Sequence, residues 1–200
     1  MSEYRPPKTA IIMIDIETLA TTPDAVVTQM AFKAVDSDDP NEDINADAFY
    51  LPLTPQTDLG RKIDPETVIW WLGQDEKARR RFQENSGGDF NVLVAFVRSF
   101  VAKINQIIES VDDYQIWAKP PTFDIVILES LFDSVGESAP WEFRKVYDLR
   151  TMMDLAGVKK EDVDQHDIVP HVALEDCRLQ LRLWERARNI LGTIAPDQNV

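Results

Sequence analysis

A short stretch near the amino terminus, residues 11–18, constrains the fold more than any other part of the chain. Its first four residues, Ile-Ile-Met-Ile, are apolar and mostly β-branched, which predicts a strand buried on both faces. Asp15 and Glu17 follow, and because strand side chains alternate, both point to the same face. Burying a charge without a partner is costly, so that face needs something positive. These residues alone leave two readings open: a divalent-cation site, or a strand whose last residues reach solvent.

The length and composition fit one compact α/β domain spanning residues 1–200. The chain has 200 residues, of which 44% are hydrophobic and 28% charged, as in ordinary globular proteins. No apolar run approaches the roughly 20 residues that cross a bilayer, and the segment before Lys8 lacks the apolar core of a signal peptide. We therefore expect a cytoplasmic protein with no membrane partner. The single cysteine, Cys177, excludes an internal disulfide and a Cys-based zinc cluster.

The net charge of −14 would ordinarily argue against a nucleic-acid partner, because phosphate binding needs local positive potential. Bound metal ions can supply that potential where carboxylates gather around a site. The charge therefore favours an enzyme with a short nucleic-acid footprint over a tight binder.

The remaining hydrophobic pattern predicts alternating strands and helices. Strands are predicted at 26–35, 46–53, 115–118 and 145–148, with an acidic hairpin loop at 36–45. Helices are predicted at 65–72, 74–83, 89–110, 123–132 and 149–156, with a long final helix after Pro170. Thr122 is the expected N-cap of the helix at 123–132.

A tryptophan pair beside a cationic run suggests a surface for single-stranded nucleic acid. Trp70 and Trp71 end one predicted helix, and the next carries Lys77 and Arg79 to Arg81. Aromatic faces stack on bases and cations attract phosphates. Core tryptophans beside a solvated basic helix face would have the same pattern, so both interpretations stay open.

Three further polar residues stand where helices begin. Asp124 lies in a first helical turn just after a strand, at the sheet edge where open α/β proteins bind ligands. His171 and Asp176 open the final helix, and imidazole titrates near neutral pH without special tuning. His166, in a polar linker, is expected to be structural.

The order of these residues resembles the DEDD superfamily of 3′-5′ exonucleases, in its histidine-bearing DEDDh (DnaQ-like) branch. The motifs are Asp15-x-Glu17, then Phe123-Asp124 after a strand, then His171-x-Ala-Leu-x-Asp176. They span most of the chain. The resemblance implies an α/β, ribonuclease H-like fold with a central mixed five-stranded sheet flanked by helices.

Within the superfamily, the chain resembles the phage exonuclease A group and a related bacterial group similar to RNase AS. Trp70-Trp71-Leu72 and Trp117-Ala118-Lys119 carry this resemblance. A common proofreading form has Asn-Ala or His-Asn before Phe-Asp, whereas residues 119–122 here read Lys-Pro-Pro-Thr. This departure leaves the backbone contacts near Asp124 open.

The donor chemistry indicates magnesium or manganese, because the ligands are hard carboxylate oxygens. Several converging carboxylates repel one another, so we expect two cations about 3.5–4 Å apart. The resemblance implies that Asp15, Glu17 and Asp176 hold the first ion, and that Asp15 bridges to a second supported by Asp124. It also assigns His171 the role of general base.

The resemblance implies a substrate with a single-stranded 3′ end and release of nucleoside 5′-monophosphates. Thr18 and Leu19 would contact the terminal nucleotide, Trp70 or Trp71 would form a wall of its pocket, and Arg79 would also bind the substrate. DNA is the expected substrate, with RNA as the alternative under the same mechanism. A non-catalytic nucleic-acid-binding module is a third reading, and a homodimer stays open.

Overall fold

A mixed five-stranded sheet forms the centre of the structure. The computed structural model describes the backbone of residues 8–84 and 87–194, without the side chains of residues 81–84 and 193–194. The strands are β1 (Thr9–Thr18), β2 (Val27–Asp36), β3 (Asp43–Tyr50), β4 (Asp113–Ala118) and β5 (Val146–Asp148), in the order β3-β2-β1-β4-β5. β1 pairs antiparallel with β2 and parallel with β4, and β4 pairs parallel with β5. The carboxyl ends of β1, β4 and β5 therefore meet at one edge.

Seven helices connect and cover these strands within the described residues. They are α1 (Thr54–Asp58), α2 (Pro65–Leu72), α3 (Glu76–Glu84), α4 (Phe90–Ser110), α5 (Pro121–Ser134), α6 (Leu149–Ala156) and α7 (Ala173–Ile194). Local signals account for several boundaries. The Asp64 and Asp89 carboxylates accept hydrogen bonds from the first turns of α2 and α4, and Gly157, at φ 66°, ends α6 in the left-handed region.

The two faces of β1 enter two different hydrophobic cores. Ile12 and Ile14 pack with α4 and α5 on one face of the sheet. Ile11 and Met13 pack with α6 and α7 on the other. This double burial confirms the expectation of a central strand and explains why its apolar residues run without polar interruption until Asp15.

The helix α4 meets the length and composition of a membrane span, in contrast to the expectation that no apolar run approaches that length. It carries Arg98 and Lys103, and its residues Leu93, Val97, Phe100, Ile104 and Ile107 are buried against the sheet. That amphipathic stripe is typical of a core helix.

Several predicted boundaries are wrong, and the strand predicted to end at 53 ends at Tyr50. β3 begins at Asp43, inside the expected acidic loop, because its backbone pairs with Val35 and its carboxylate forms an ion pair with Lys33. α5 begins at Pro121 with Pro120 as N-cap and no side-chain cap, so Thr122 does not cap it. Proline suits the first helical position because it has no N–H to satisfy there.

Candidate active site

The carboxyl half of β1 places two carboxylates beneath the amino end of α7. Asp15 and Glu17 share the strand face that α7 covers, and Glu17 lies opposite Gln29 of β2. Glu17 is only 8% exposed. The alternation predicted from sequence therefore brings both carboxylates to one face, and Glu17 is too deep for a solvated strand end.

Asp124 reaches the same edge from the first turn of α5. Its side chain is 3% exposed, and its Oδ1 accepts a hydrogen bond from the backbone N–H of Ile16 at 3.3 Å. This contact joins the start of α5 to the strand segment between Asp15 and Glu17. It also answers the question that the Lys-Pro-Pro-Thr sequence leaves open, since the backbone contact to Asp124 is made.

His171 and Asp176 complete the cluster from the segment that leads into α7. The backbone N–H of His171 donates to Asp176 Oδ2 at 2.8 Å, and His171 Nδ1 lies 3.8 Å from Glu17 Oε1. His171 has a φ of 62°, an uncommon left-handed conformation for a residue with a side chain. Such strain persists where the surroundings fix the residue, often at functional sites.

The four carboxylates, Asp15, Glu17, Asp124 and Asp176, form what we call the acid cluster, and their proximity is electrostatically unfavourable. Burial raises the pKa of Asp15 and of Glu17 well above their ordinary values, and the neighbouring carboxylates raise both further. Burial also raises the pKa of Asp176, and that of Asp124 to about 7. A cation at this position would relieve the repulsion.

The arrangement fits a divalent metal ion. One ligand atom each from Glu17, His171 and Asp176 lie within 4.8 Å of one another. Most of the possible ligand atoms are oxygens. The Cys177 thiol contacts the carbonyl oxygens of Met13 and Ala31. Hard oxygen donors favour Mg²⁺ or Mn²⁺ over zinc.

Two buried glutamines support the acid cluster, and neither is among the residues predicted from the sequence. Gln180 Nε2 donates to Asp15 Oδ1 at 2.6 Å, and Gln29 Oε1 accepts from the N–H of Ala173 at the start of α7. Sequence spacing could have identified Gln180, because it lies four residues after Asp176 on the same helix face.

A cleft of about 600 Å³ opens beside Glu17. Thr18, Trp70 and Phe123 line it together with residues from the start of α2. Trp70 is 45% exposed, and its ring meets the His171 ring edge to face at 4.8 Å between centroids. The structure thus brings Thr18 and Trp70 to the cleft, and adds Phe123, which the sequence analysis treated only as part of a motif.

The other expected substrate residues do not line this cleft. Leu19 is 3% exposed and packs with Val26, Val172 and Trp71, because the chain turns inward after β1. Trp71 is buried and its Nε1 donates to the carbonyl oxygen of Thr18, so it supports the cleft from behind.

Two of the cationic side chains on α3 form contacts within the protein. Arg79 Nη1 donates to the carbonyl oxygen of Leu72, which ties α3 to the end of α2. Arg80 pairs with Glu76 one turn earlier, and the side chain of Arg81 lies outside the described residues. His166 is almost fully exposed and lies outside the acid cluster.

Comparison with known proteins gives one family match. A family model described as the 3′-5′ exoribonuclease Rv2179c-like domain matches residues 10–187. None of the curated proteins matches the chain.

The chain is similar to solved structures at low sequence identity, and one of them shares its fold. E. coli exonuclease I, in complex with a 5cy-dT13 oligonucleotide, superposes with a TM-score of 0.58 and 16% identity over 91% of this chain. The chain spans 41% of the length of that protein. Cell-death related nuclease 4 (CRN-4) gives a TM-score of 0.48 and 15% identity over 92% of this chain and 65% of its own length.

Proposed function

The chain belongs to the family of Rv2179c-like 3′-5′ exoribonuclease domains, and from this premise we propose that it removes nucleoside 5′-monophosphates from the 3′ end of single-stranded RNA. Membership makes it a 3′-5′ exonuclease, a hydrolase of phosphodiester bonds. The acid cluster is the observation that carries the proposal. We also propose that the enzyme acts in the cytoplasm, with which its single, buried and free cysteine is compatible.

The acid cluster is proposed to hold two divalent cations, Mg²⁺ or Mn²⁺. Asp15, Glu17 and Asp176 would hold one, and Asp15 and Asp124 the other. When bound, the ions neutralise the crowded carboxylates and stabilise the negative charge on the phosphodiester oxygens. Gln180 keeps the Asp15 carboxylate oriented toward this role, as partners of metal ligands commonly do.

His171 is proposed to accept the proton of the attacking water. Its Nδ1 faces Glu17, which leaves Nε2 available as the acceptor. Burial lowers the pKa of His171, so the imidazole is neutral at physiological pH and able to take up a proton. The edge-to-face contact with Trp70 and the hydrogen bond from its own backbone to Asp176 hold the residue in place.

The cleft beside Glu17 is proposed to bind the terminal nucleotide. Its volume of about 600 Å³ suits a small ligand, and Trp70 and Phe123 offer faces on which a base can stack. Stacking does not depend on base identity, which suits an enzyme that shortens a strand one nucleotide after another.

The family description favours RNA over the DNA substrate that the sequence analysis preferred. Matched single-stranded RNA and DNA oligonucleotides, each labelled at the 5′ end, would be incubated with the protein and Mg²⁺. We expect an RNA ladder that shortens from the 3′ end and slower shortening of DNA. Equal or faster turnover of DNA would reject the RNA assignment, and no shortening of either would reject the exonuclease.

A matched pair of variants on α5 tests whether activity depends on the acid cluster. Asp124→Asn removes a carboxylate from the cluster, whereas Asp133→Asn removes an exposed one near the other end of the same helix. We expect the first variant to lose RNA hydrolysis and the second to keep it. Equal activity of the two would contradict a role for the cluster.

A further inference from the structure

Two cationic residues, Lys119 and Arg150, stand at the sheet edge beside the acid cluster, and the charge of Lys160 acts on Lys119. We call these three residues the cationic rim. Lys119 directly follows β4, and Arg150 is the second residue of α6, directly after β5. Because β4 and β5 run parallel with Ala118 opposite Asp148, both residues emerge at the same edge. Lys160 lies in the short 3-10 turn Lys160–Asp162 between α6 and α7.

The rim is close enough to the acid cluster for its charges to act on it. Burial raises the pKa of Asp176, and the charges of Lys160 and Lys119 oppose that rise. Arg150 likewise opposes the rise of the Asp124 pKa. Burial lowers the pKa of Lys119, and Lys160 and Arg150 lower it further, so the three cations are also neighbours of one another.

Three cations gathered at one edge, none of them in a direct ion pair within the described residues, need an explanation in a chain of net charge −14. Within residues 8–84 and 87–194, no rim side chain forms an ion pair or a hydrogen bond, whereas Lys8, Lys33, Lys62 and Arg182 are all paired with carboxylates. The rim cations repel one another, while Asp15 and Asp176 attract Lys119. A polyanion that passes over this edge would turn the repulsion into attraction.

The rim and the aromatic cleft occupy different parts of the site. The cleft is formed by the end of β1, the start of α2 and Phe123, and it contains no rim residue. The rim lies toward β4, β5 and the segment before α7. A strand whose last nucleotide fills the cleft can therefore extend its upstream phosphates over the rim.

We propose that the cationic rim binds the phosphates upstream of the scissile bond of a single-stranded nucleic acid. This inference rests on the proposed function and deepens it, because it assigns a path to the part of the substrate that does not react. It explains how so acidic a protein holds a polyanion. The rim supplies positive charge at the sheet edge beside the cleft.

A length series tests the proposal. Oligouridylates of two to ten nucleotides would be hydrolysed by the wild-type protein and by the triple variant Lys119→Gln, Arg150→Gln, Lys160→Gln. A dinucleotide contains only the scissile phosphate. We therefore expect the wild-type kcat/KM to rise with oligonucleotide length. In the triple variant, that rise should be smaller by a factor on the order of ten. Arg98→Gln on α4 is the matched control, since it removes a cation that pairs with Glu137 away from the site.

Binding provides a second readout that does not need hydrolysis. With Ca²⁺ in place of Mg²⁺, fluorescence anisotropy of fluorescein-labelled decauridylate would give Kd at several salt concentrations. We expect the slope of log Kd against log salt to fall by about 0.7 for each rim cation removed. Arg98→Gln should keep the wild-type slope.

The outcomes separate this inference from the proposed function. If the triple variant keeps the wild-type length dependence and salt slope, the proposed role of the rim is rejected. An equal loss of kcat/KM on the dinucleotide and the decanucleotide would also reject it, because the cations would then act on the carboxylates and not on the upstream phosphates. If removal of the rim cations lowers the salt slope as expected but the wild-type protein does not shorten decauridylate, the proposed function is rejected and the rim is supported. Failure to bind would reject both.

Discussion

The two halves of β1 belong to one strand but have opposite effects on the stability of the fold. From Ala10 to Ile14 every side chain is at most 1% exposed and apolar, and each packs into one of the two cores. From Asp15 onward the strand is still largely enclosed, but it carries carboxylates whose pKa values are raised by burial and by one another. The first half stabilises the fold through burial, and the second half reduces that stability.

The contrast shows where the rigidity of the site comes from. The carboxylates do not hold one another in place, because they repel. Asp15 and Glu17 are held by the apolar half of their own strand, and Asp15 also by Gln180. Asp124 is held by the N–H of Ile16. The proposed metal ions would add the attraction that the carboxylates lack among themselves.

The largest expected effect concerns activity in the polar half. Asp15→Asn keeps the shape of the side chain and its acceptor for Gln180 but removes the charge. We expect RNA hydrolysis in Mg²⁺ to fall on the order of a thousandfold or more, because several kcal/mol of charge stabilisation depend on the metal site. Single-turnover kinetics would measure it. Unchanged nuclease activity would refute the metal mechanism.

The next effect concerns stability in the apolar half. Ile12→Ala should lower the free energy of unfolding by about 2–5 kcal/mol, and Ile12→Val by about 0.5–1.5 kcal/mol, because a fully buried site cannot fill the cavity. Urea unfolding with an unchanged m-value would measure both. Losses below 1 kcal/mol for the alanine variant would mean that this half does not anchor the strand.

The pH dependence of the metal-free protein should follow the polar half. The pKa of Asp124 is raised to about 7 in the folded state, so the native protein binds more protons than the unfolded chain between about pH 4 and 7. The free energy of unfolding should therefore fall as pH rises through that window, by up to about 1.4 kcal/mol per pH unit for this group. Urea unfolding in chelator at pH 5 and 7.5 would test the sign.

Two controls sharpen that prediction. Asp124→Asn should reduce the pH dependence without removing it, because the pKa values of Asp15, Glu17 and Asp176 are also raised. Saturating Mn²⁺ should reverse the dependence, since the bound cation favours the charged carboxylates. Surface carboxylates with a lowered pKa, such as Asp24 and Asp167 at about 2, act in the opposite direction but only below about pH 4. Greater stability at pH 7.5 in chelator would contradict the described cluster.

The smallest expected effect is a gain of stability. In chelator, Asp15→Asn or Asp176→Asn should raise the free energy of unfolding by about 0.5–2 kcal/mol, because each relieves repulsion while keeping an acceptor for its hydrogen bond. Thermal melts would measure the gain. Melts that show both variants less stable than the wild type would mean that the carboxylates do not oppose folding.

The sequence predicts those parts of the fold that local pattern controls. The apolar run of β1, the Asp64-Pro65 start of α2 and the left-handed Gly157 at the end of α6 each have a local cause, and each lies where the pattern indicates. The start of β3 could not be predicted in this way. Asp43 belongs to the strand because its backbone pairs with β2. Its polar side chain does not predict this pairing.

The acid cluster was predictable because its spacing and order match a family pattern, whereas its surroundings depend on tertiary packing. Leu19 packs inward, and Arg79 donates a hydrogen bond to the carbonyl oxygen of Leu72. The spacing of residues in the sequence predicts neither contact. Phe123 and the cationic rim become visible only when the ends of β1, β4 and β5 are brought to one edge.

The most direct test of the central claim is a crystal structure of the protein grown or soaked with Mn²⁺, with anomalous scattering recorded to locate the ion. Our account predicts two anomalous peaks about 3.5–4 Å apart, between Asp15, Glu17, Asp124 and Asp176. A saturating Mn²⁺ concentration that leaves no peak within ligand distance of these four carboxylates would contradict it.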